Sequence, residues 1–133
     1  MPLELDRILA DIQDGVGLAD ADASVLVRGD ARRAEGAFDD AGALYMAAFE
    51  TASVLGHAAI RCDALTGLAR VSYSLGELRL AESFFDVASR IAEESGDLDR
   101  AFLSHARRAF LACDEGEIAR AEGIFAGLRA RAD

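Results

Sequence analysis

The segment that decides the fold runs from residue 65 to residue 88 and reads LTGLARVSYSLGELRLAESFFDVA. Apolar residues recur every three or four positions on both sides of Gly76, which is the spacing of one face of an α-helix. No proline interrupts either half, and valine and isoleucine do not alternate with polar residues as they would in strands. The segment therefore predicts two helices joined by a tight turn at Gly76.

The same pattern occurs in three units at a spacing of 40 residues. Sliding the sequence by 40 positions aligns glycines at the predicted turns and apolar residues between them. The glycines and an aromatic column carry the most weight, because alanines match one another easily in an alanine-rich chain. The aligned glycines are Gly36, Gly76 and Gly116, together with Gly56 and Gly96, and the aromatic column is Tyr45, Phe85 and Phe125.

This repeat predicts a single all-α domain over residues 1–133, a length that one domain can fill. We expect an N-terminal helix or half repeat over 1–16 and full repeats over 17–56, 57–96 and 97–133. Gly56 and Gly96 suit left-handed helix ends, and Asp97 suits the N-cap of the next helix. The alternative is a generic up-and-down helical bundle with chance periodicity. The seven predicted helices cover about 3–14, 18–34, 37–55, 58–75, 77–95, 98–115 and 117–131.

The central unit resembles the tetratricopeptide repeat (TPR). That pattern has a leucine and a small residue in the first helix, a glycine at the turn, and alanine, aromatic and alanine residues in the second. The spacing of 40 residues is longer than the common 34 and is similar to the longer-helix TPRs of kinesin light chains and bacterial peptide-sensing regulators. The resemblance implies a right-handed superhelical stack of antiparallel helix pairs, an α-solenoid, whose opening helices line a concave groove. The matching residues are Leu68, Ala69, Gly76, Ala81, Phe85 and Ala88.

Composition and charge exclude several classes of partner. The net charge of −10 repels phosphate backbones and anionic lipid, so neither nucleic acid nor a membrane surface is an expected partner. No window reaches the roughly 18 apolar residues of a membrane span, and acids stand where a signal peptide needs bases. We therefore expect a cytoplasmic protein. All 14 basic residues are arginine, which together with the alanine bias is typical of a GC-rich bacterial genome.

No motif for catalysis, for a cofactor or for a metal ion stands out. The sequence has no glycine-rich phosphate loop and no nucleophile elbow around a serine. His57 falls in a predicted turn and His105 in a packing column, while Cys62 and Cys113 lack the spacing of metal ligands. We therefore expect no catalytic residue, no cofactor and no metal site.

Arginines are distributed unevenly between the two kinds of helix. Within the opening helices, basic residues outnumber acidic ones by three to two over 22–34, by two to one over 58–74 and by three to one over 98–113. The first two closing helices show the reverse. Because the guanidinium fork matches a carboxylate, this predicts a comparatively basic groove that suits an acidic segment. The alternative is that these arginines pair with acids on neighbouring helices. The predicted partner-binding residues are Asp30, Arg33, Arg70, Tyr73, Arg107 and Phe110.

The function that fits these features best is a non-catalytic module that binds a protein or peptide partner in the concave groove. The resemblance does not extend to the clamp with which co-chaperone TPRs grip a C-terminal carboxylate, because only Arg107 fits among the matching positions. The alternatives are a self-assembling structural protein, including a homodimer through the C-terminal repeat, and an enzyme or a small-molecule or peptide sensor. The positions that match the clamp hold Leu26, Asp30, Gly67, Leu103 and Arg107.

Overall fold

A computed structural model of the chain describes residues 18–114 and 116–132, and the side chains of residues 23–114 and 116–130. This part contains six α-helices and no strand, and each helix agrees with its predicted range to within one residue at either end. The helix predicted over 3–14 lies outside the described residues. The helices are α1 (Leu18–Ala34), α2 (Phe38–Leu55), α3 (Ala58–Ser74), α4 (Leu78–Ser95), α5 (Leu98–Asp114) and α6 (Ile118–Ala132).

Each turn between helices contains a glycine with a positive φ angle. Gly56 and Gly96 end α2 and α4 in the left-handed conformation, with φ of 70° and 78°, as predicted. Asp97 then caps α5, because its Oδ1 accepts a hydrogen bond from the Arg100 backbone N–H at 3.2 Å. The sequence signals for the helix ends therefore hold in the structure.

The six helices form a two-layer α-solenoid, as predicted. Each helix packs on the next, and turns of two or three residues make consecutive helices antiparallel. The opening helices α1, α3 and α5 form one layer, in which α1 contacts α3 and Arg100 of α5 binds Asp63 of α3. The closing helices α2, α4 and α6 form the other, in which Arg120 of α6 binds the buried carboxylate of Glu82 of α4.

Tyr45 of α2 is the largest fully buried side chain in the described part, with none of its surface exposed. Its ring lies against Gly29 of α1 and Gly67 of α3. A Cβ atom at position 67 would lie 2.4 Å from Tyr45 Cε1, and a Cβ at position 29 would lie 2.8 Å from the same atom. The ring therefore occupies a slot that only glycine at these two positions leaves open.

The aromatic column changes along the array. Phe85 occupies the same register position in the second repeat and is 4% exposed, whereas Phe125 in the third repeat is half-buried. The register positions of Gly29 and Gly67, shifted by 40, hold Ala69 and Arg107. At the second interface between repeats, Phe85 is therefore buried without two glycines facing its ring, and Arg107 holds the position that corresponds to Gly67.

Replacing Gly67 by alanine is expected to lower the free energy of unfolding by about 1–3 kcal/mol, as overpacking of a filled core does. The loss occurs although alanine is favoured over glycine by about 1 kcal/mol within a helix. Gly42→Ala is the matched control, because an added Cβ at this position in α2 meets no atom within 4 Å. Thermal and urea unfolding should show Gly67→Ala destabilised and Gly42→Ala slightly stabilised. Equal effects of the two substitutions would disprove the slot.

Candidate functional site

The three opening helices line a shared depression on one face of the array, with a volume of about 440 Å³. Its walls combine two leucines with charged residues of both signs. It lies on α1, α3 and α5, the helices on which the TPR resemblance implies a concave groove, and it is called the groove below. Among its lining residues are Leu26 and Asp30 from α1, Asp63 and Arg70 from α3, and Leu103 and Arg107 from α5.

Arg70 and Arg107 come together in this groove. Arg70 is exposed and Arg107 is half-buried, and within the described part of the chain no carboxylate oxygen lies within 4.0 Å of either guanidinium. The pKa of Arg107 is lowered, first by burial and then by the positive charge of Arg70, while the negative charge of Asp63 acts in the opposite direction. Its guanidinium carbon lies 6.0 Å from the centroid of the Phe85 ring. The groove therefore holds two adjacent cations whose charges are not neutralised by an ion pair.

A second, smaller depression of about 220 Å³ adjoins the same two arginines. Tyr73 and Phe110 form its exposed walls and are 48% and 64% exposed. Both rings are held in place: the Tyr73 hydroxyl donates to Asp114 Oδ2 at 2.8 Å, and Phe110 packs edge-to-face on Phe125 at 5.7 Å. Phe85 and Leu111 are buried and also line the depression. We call the set Tyr73, Phe85, Phe110 and Leu111 the aromatic pocket.

Two predicted binding residues, Asp30 and Arg33, contact the buried Tyr45. The Tyr45 hydroxyl donates to Asp30 Oδ1 at 2.5 Å and accepts from Arg33 Nε at 3.3 Å. Burial and the bond to Asp30 raise the pKa of Tyr45, and Arg33 acts in the opposite direction. Asp30 also lines the larger depression. The other four predicted residues, Arg70, Tyr73, Arg107 and Phe110, all line the smaller depression.

Other arginines of the opening helices contact neighbouring side chains, and some of them pair with acids, which was the alternative to a basic groove. Arg100 binds both carboxylate oxygens of Asp63 at 3.0 Å and reaches Asp97 at 2.7 Å. These bonds raise the pKa of Arg100, and the bonds from Arg100 lower the pKa of Asp97. Arg108 lies 3.5 Å from Asp86, and Arg61 lies over the Phe49 ring. Of the three arginines among the described residues that line the larger depression, Arg100 is thus ion-paired, whereas Arg70 and Arg107 are not.

Both histidines make polar contacts, His57 at the start of α3 and His105 with a residue of α4. His57 Nδ1 accepts from the Ile60 backbone N–H at 3.4 Å, and His105 Nε2 lies 2.7 Å from Glu93 Oε1.

Burial raises the pKa of the Cys62 thiol to about 11. Among the described residues, no three histidine, cysteine or acidic side chains are grouped to hold a metal ion. Within the same residues, no helix is long and apolar enough to cross a membrane.

Comparison with known proteins identifies the fold. No protein-family model matches the chain, and no curated protein matches it. Among solved structures, the crystal structure of the TPR domain of Arabidopsis FLU matches with a TM-score of 0.74. The two sequences are 18% identical, and the match covers 83% of this chain and 92% of that one. The protein therefore has the fold of a TPR domain, as the resemblance in residues 65–88 predicted.

Both tyrosines of the chain should remain protonated in the native state above pH 10, because the pKa of each is raised from its ordinary value of 10.0. The hydrogen bond to Asp114 is the main cause at Tyr73. In the unfolded chain the phenols ionise near about pH 10, so their contribution to stability is present below that pH and is lost as the pH rises past it.

Phenolate absorbance and helical circular dichroism, measured together during alkaline titration, check this prediction. Tyr73→Phe isolates Tyr45, whose ionisation should coincide with the loss of helical signal because its phenol is buried. Tyr45→Phe isolates the exposed Tyr73. Half-maximal phenolate absorbance at or below about pH 10 in a protein that is still fully helical would contradict the assignment.

Proposed function

We propose that the protein is a non-catalytic interaction module that binds a carboxylate-bearing segment of a protein partner along the face of α1, α3 and α5. The observation that carries the proposal is the pair Arg70 and Arg107, which lie together in the groove without a neutralising carboxylate. Repeat arrays of this architecture offer extended concave surfaces for binding. We place the binding site in the part of the groove around Arg70 and Arg107.

The electrostatics of the pair favour an anionic ligand. Arg107 is partly desolvated and lies close to a like charge, which lowers its pKa. A carboxylate placed between the two guanidinium groups would offset both effects, and arginine can bind it with two parallel hydrogen bonds. The rest of the protein carries a net negative charge, so this pair is a local exception that would attract an acidic group to one place.

Neighbouring carboxylates limit where an acidic group can bind. Asp30, Asp63 and Asp99 line the same depression. Arg100 neutralises Asp63, while Asp30 accepts from the Tyr45 hydroxyl and lies 3.9 Å from Arg33. An anionic ligand is therefore expected at the arginine pair and not along the whole groove.

Selection of random peptides displayed on phage, with the whole protein as bait, provides ligands for a direct test. The selected peptides should carry a carboxylate, and Arg70→Glu together with Arg107→Glu should weaken their binding by at least about tenfold, because charged hydrogen bonds are lost. The matched control reverses Arg79 and Arg90, whose side chains on α4 are 82% and 69% exposed. This control should bind normally. Binding to the wild type should also weaken as salt increases.

A second pair of variants separates binding from folding. Arg70→Gln with Arg107→Gln removes the charges without adding acids, and its thermal melt should stay close to that of the wild type. Selected peptides that are basic, or that bind equally to the doubly reversed protein, would contradict the proposal.

Self-association is the second candidate, since apolar residues of the last helix pair are exposed. Leu98 and Ile118 are 74% and 55% exposed, and Leu98 borders a depression that Phe102 and Leu128 also line. Light scattering on the same preparations distinguishes the two functions. A stable mass of two copies, lost on Ile118→Glu, would favour a homodimer through the C-terminal repeat, whereas a monomer would exclude it.

A further inference from the structure

The aromatic pocket defined above suggests which residue accompanies the carboxylate of the partner. Resting on the function proposed above, we propose that the ligand carries one large apolar side chain within about two residues of a single carboxylate. The carboxylate binds between Arg70 and Arg107, and the apolar side chain enters the aromatic pocket. The ligand class is therefore an acidic–apolar pair in an extended peptide, and not a run of acids.

The size and lining of the pocket fit one side chain. Its volume of about 220 Å³ is below the roughly 300–1,000 Å³ of pockets that hold small molecules. The rings of Tyr73, Phe85 and Phe110, with Leu111, make its walls apolar. A side chain such as leucine or phenylalanine would lose its water contacts there, and burying a large apolar side chain is a main source of binding free energy.

The walls are ordered before a ligand arrives. The Tyr73 hydroxyl is tied to Asp114, and the Phe110 ring is held edge-to-face by Phe125. Exposed aromatic side chains with fixed neighbours lose little rotational freedom when they bind, so the entropic cost of docking is small. The exposure of Tyr73 and Phe110 therefore leaves an apolar surface that a ligand can reach.

The two subsites are adjacent, because Arg70 and Arg107 line both depressions. The Arg107 guanidinium carbon lies 6.0 Å from the centre of the Phe85 ring at the pocket. An extended peptide rises by about 3.3 Å per residue. Side chains that stand up to about two residues apart in an extended chain can therefore reach two subsites that are adjacent in this way.

Fixed negative charges flank the two subsites. Asp114 lines the aromatic pocket, and Asp30 and Asp99 line the larger depression, where Asp63 is paired with Arg100. A second acidic residue on either side of the pair would approach one of these carboxylates, and like charges repel. The selected peptides should therefore have one acid, with neutral or basic residues around it.

The test uses one phage-selected peptide as the probe, together with its apolar→Ser and carboxylate→amide variants, measured by fluorescence anisotropy. Against the wild type, the apolar→Ser change should weaken binding by about tenfold or more, the effect of one buried side chain. Against Phe110→Ala the same change should cost only about twofold or less, because the two groups are coupled. Phe110 is 64% exposed, so its replacement should cost little stability, which a thermal melt of the variant checks.

Phe102→Ala is the matched control, because Phe102 is an aromatic residue of the same helix, is 48% exposed and lies outside the aromatic pocket. It should behave as the wild type does. Tyr73→Ala should reproduce the effect of Phe110→Ala. Peptides with a free or an amidated C-terminus show whether the carboxylate is terminal or belongs to an acidic side chain, and either result fits the proposed subsite.

The failures of the two proposals can be told apart. If the carboxylate→amide change weakens binding and Phe110→Ala does not alter the effect of the apolar→Ser change, the apolar subsite is wrong and the arginine site stands. Selected peptides dominated by runs of acids would also overturn the apolar–acidic pair. If the carboxylate→amide change has no effect and reversal of Arg70 and Arg107 leaves binding unchanged, the proposed function itself is wrong.

Discussion

The packing of the Tyr45 ring between α1 and α3 is the contact on which the arrangement of the first two repeats depends. Both positions that face the ring are glycine, and a Cβ atom at either one would approach the ring to 2.8 Å or less. Because protein interiors are densely packed, a ring that fills such a slot fixes the separation of three helices at once. Asp30 and Arg33 complete the contact by bonding the one polar atom of the ring at the edge of the core.

The second interface between repeats solves the same packing problem differently, and the difference produces the candidate site. Phe85 replaces the tyrosine, so no polar partner is needed, and Arg107 stands where Gly67 stands in the preceding repeat. Its guanidinium lies over the Phe85 ring and close to Arg70. The register position that holds Gly67 at the first interface therefore holds Arg107 at the second, and Arg107 lines both the groove and the aromatic pocket.

The sequence predicted the helices and their ends because these depend on local signals, such as the left-handed Gly56 and Gly96 and the cap at Asp97. It also placed Arg70 and Arg107 on one face, since the repeat register relates the opening helices. It did not reveal that Asp30 and Arg33 bind Tyr45, because those bonds join helices whose rotation depends on the glycine slot. The pairing of Arg100 with Asp63 was readable in principle, as both lie in opening helices that the register sets side by side. The role of all six predicted residues in binding a partner stays a prediction.

A double-mutant cycle between positions 45 and 67 tests most directly whether the ring and the glycine determine each other. The free energy of unfolding is measured for the wild type, for Gly67→Ala, for Tyr45→Leu and for the double variant. If the slot account is correct, the alanine that destabilises the wild type becomes neutral or stabilising, by up to about 1 kcal/mol, once the ring is removed. If the cost of Gly67→Ala is the same with tyrosine and with leucine at position 45, the ring does not set the approach of α3 to α1 and α2.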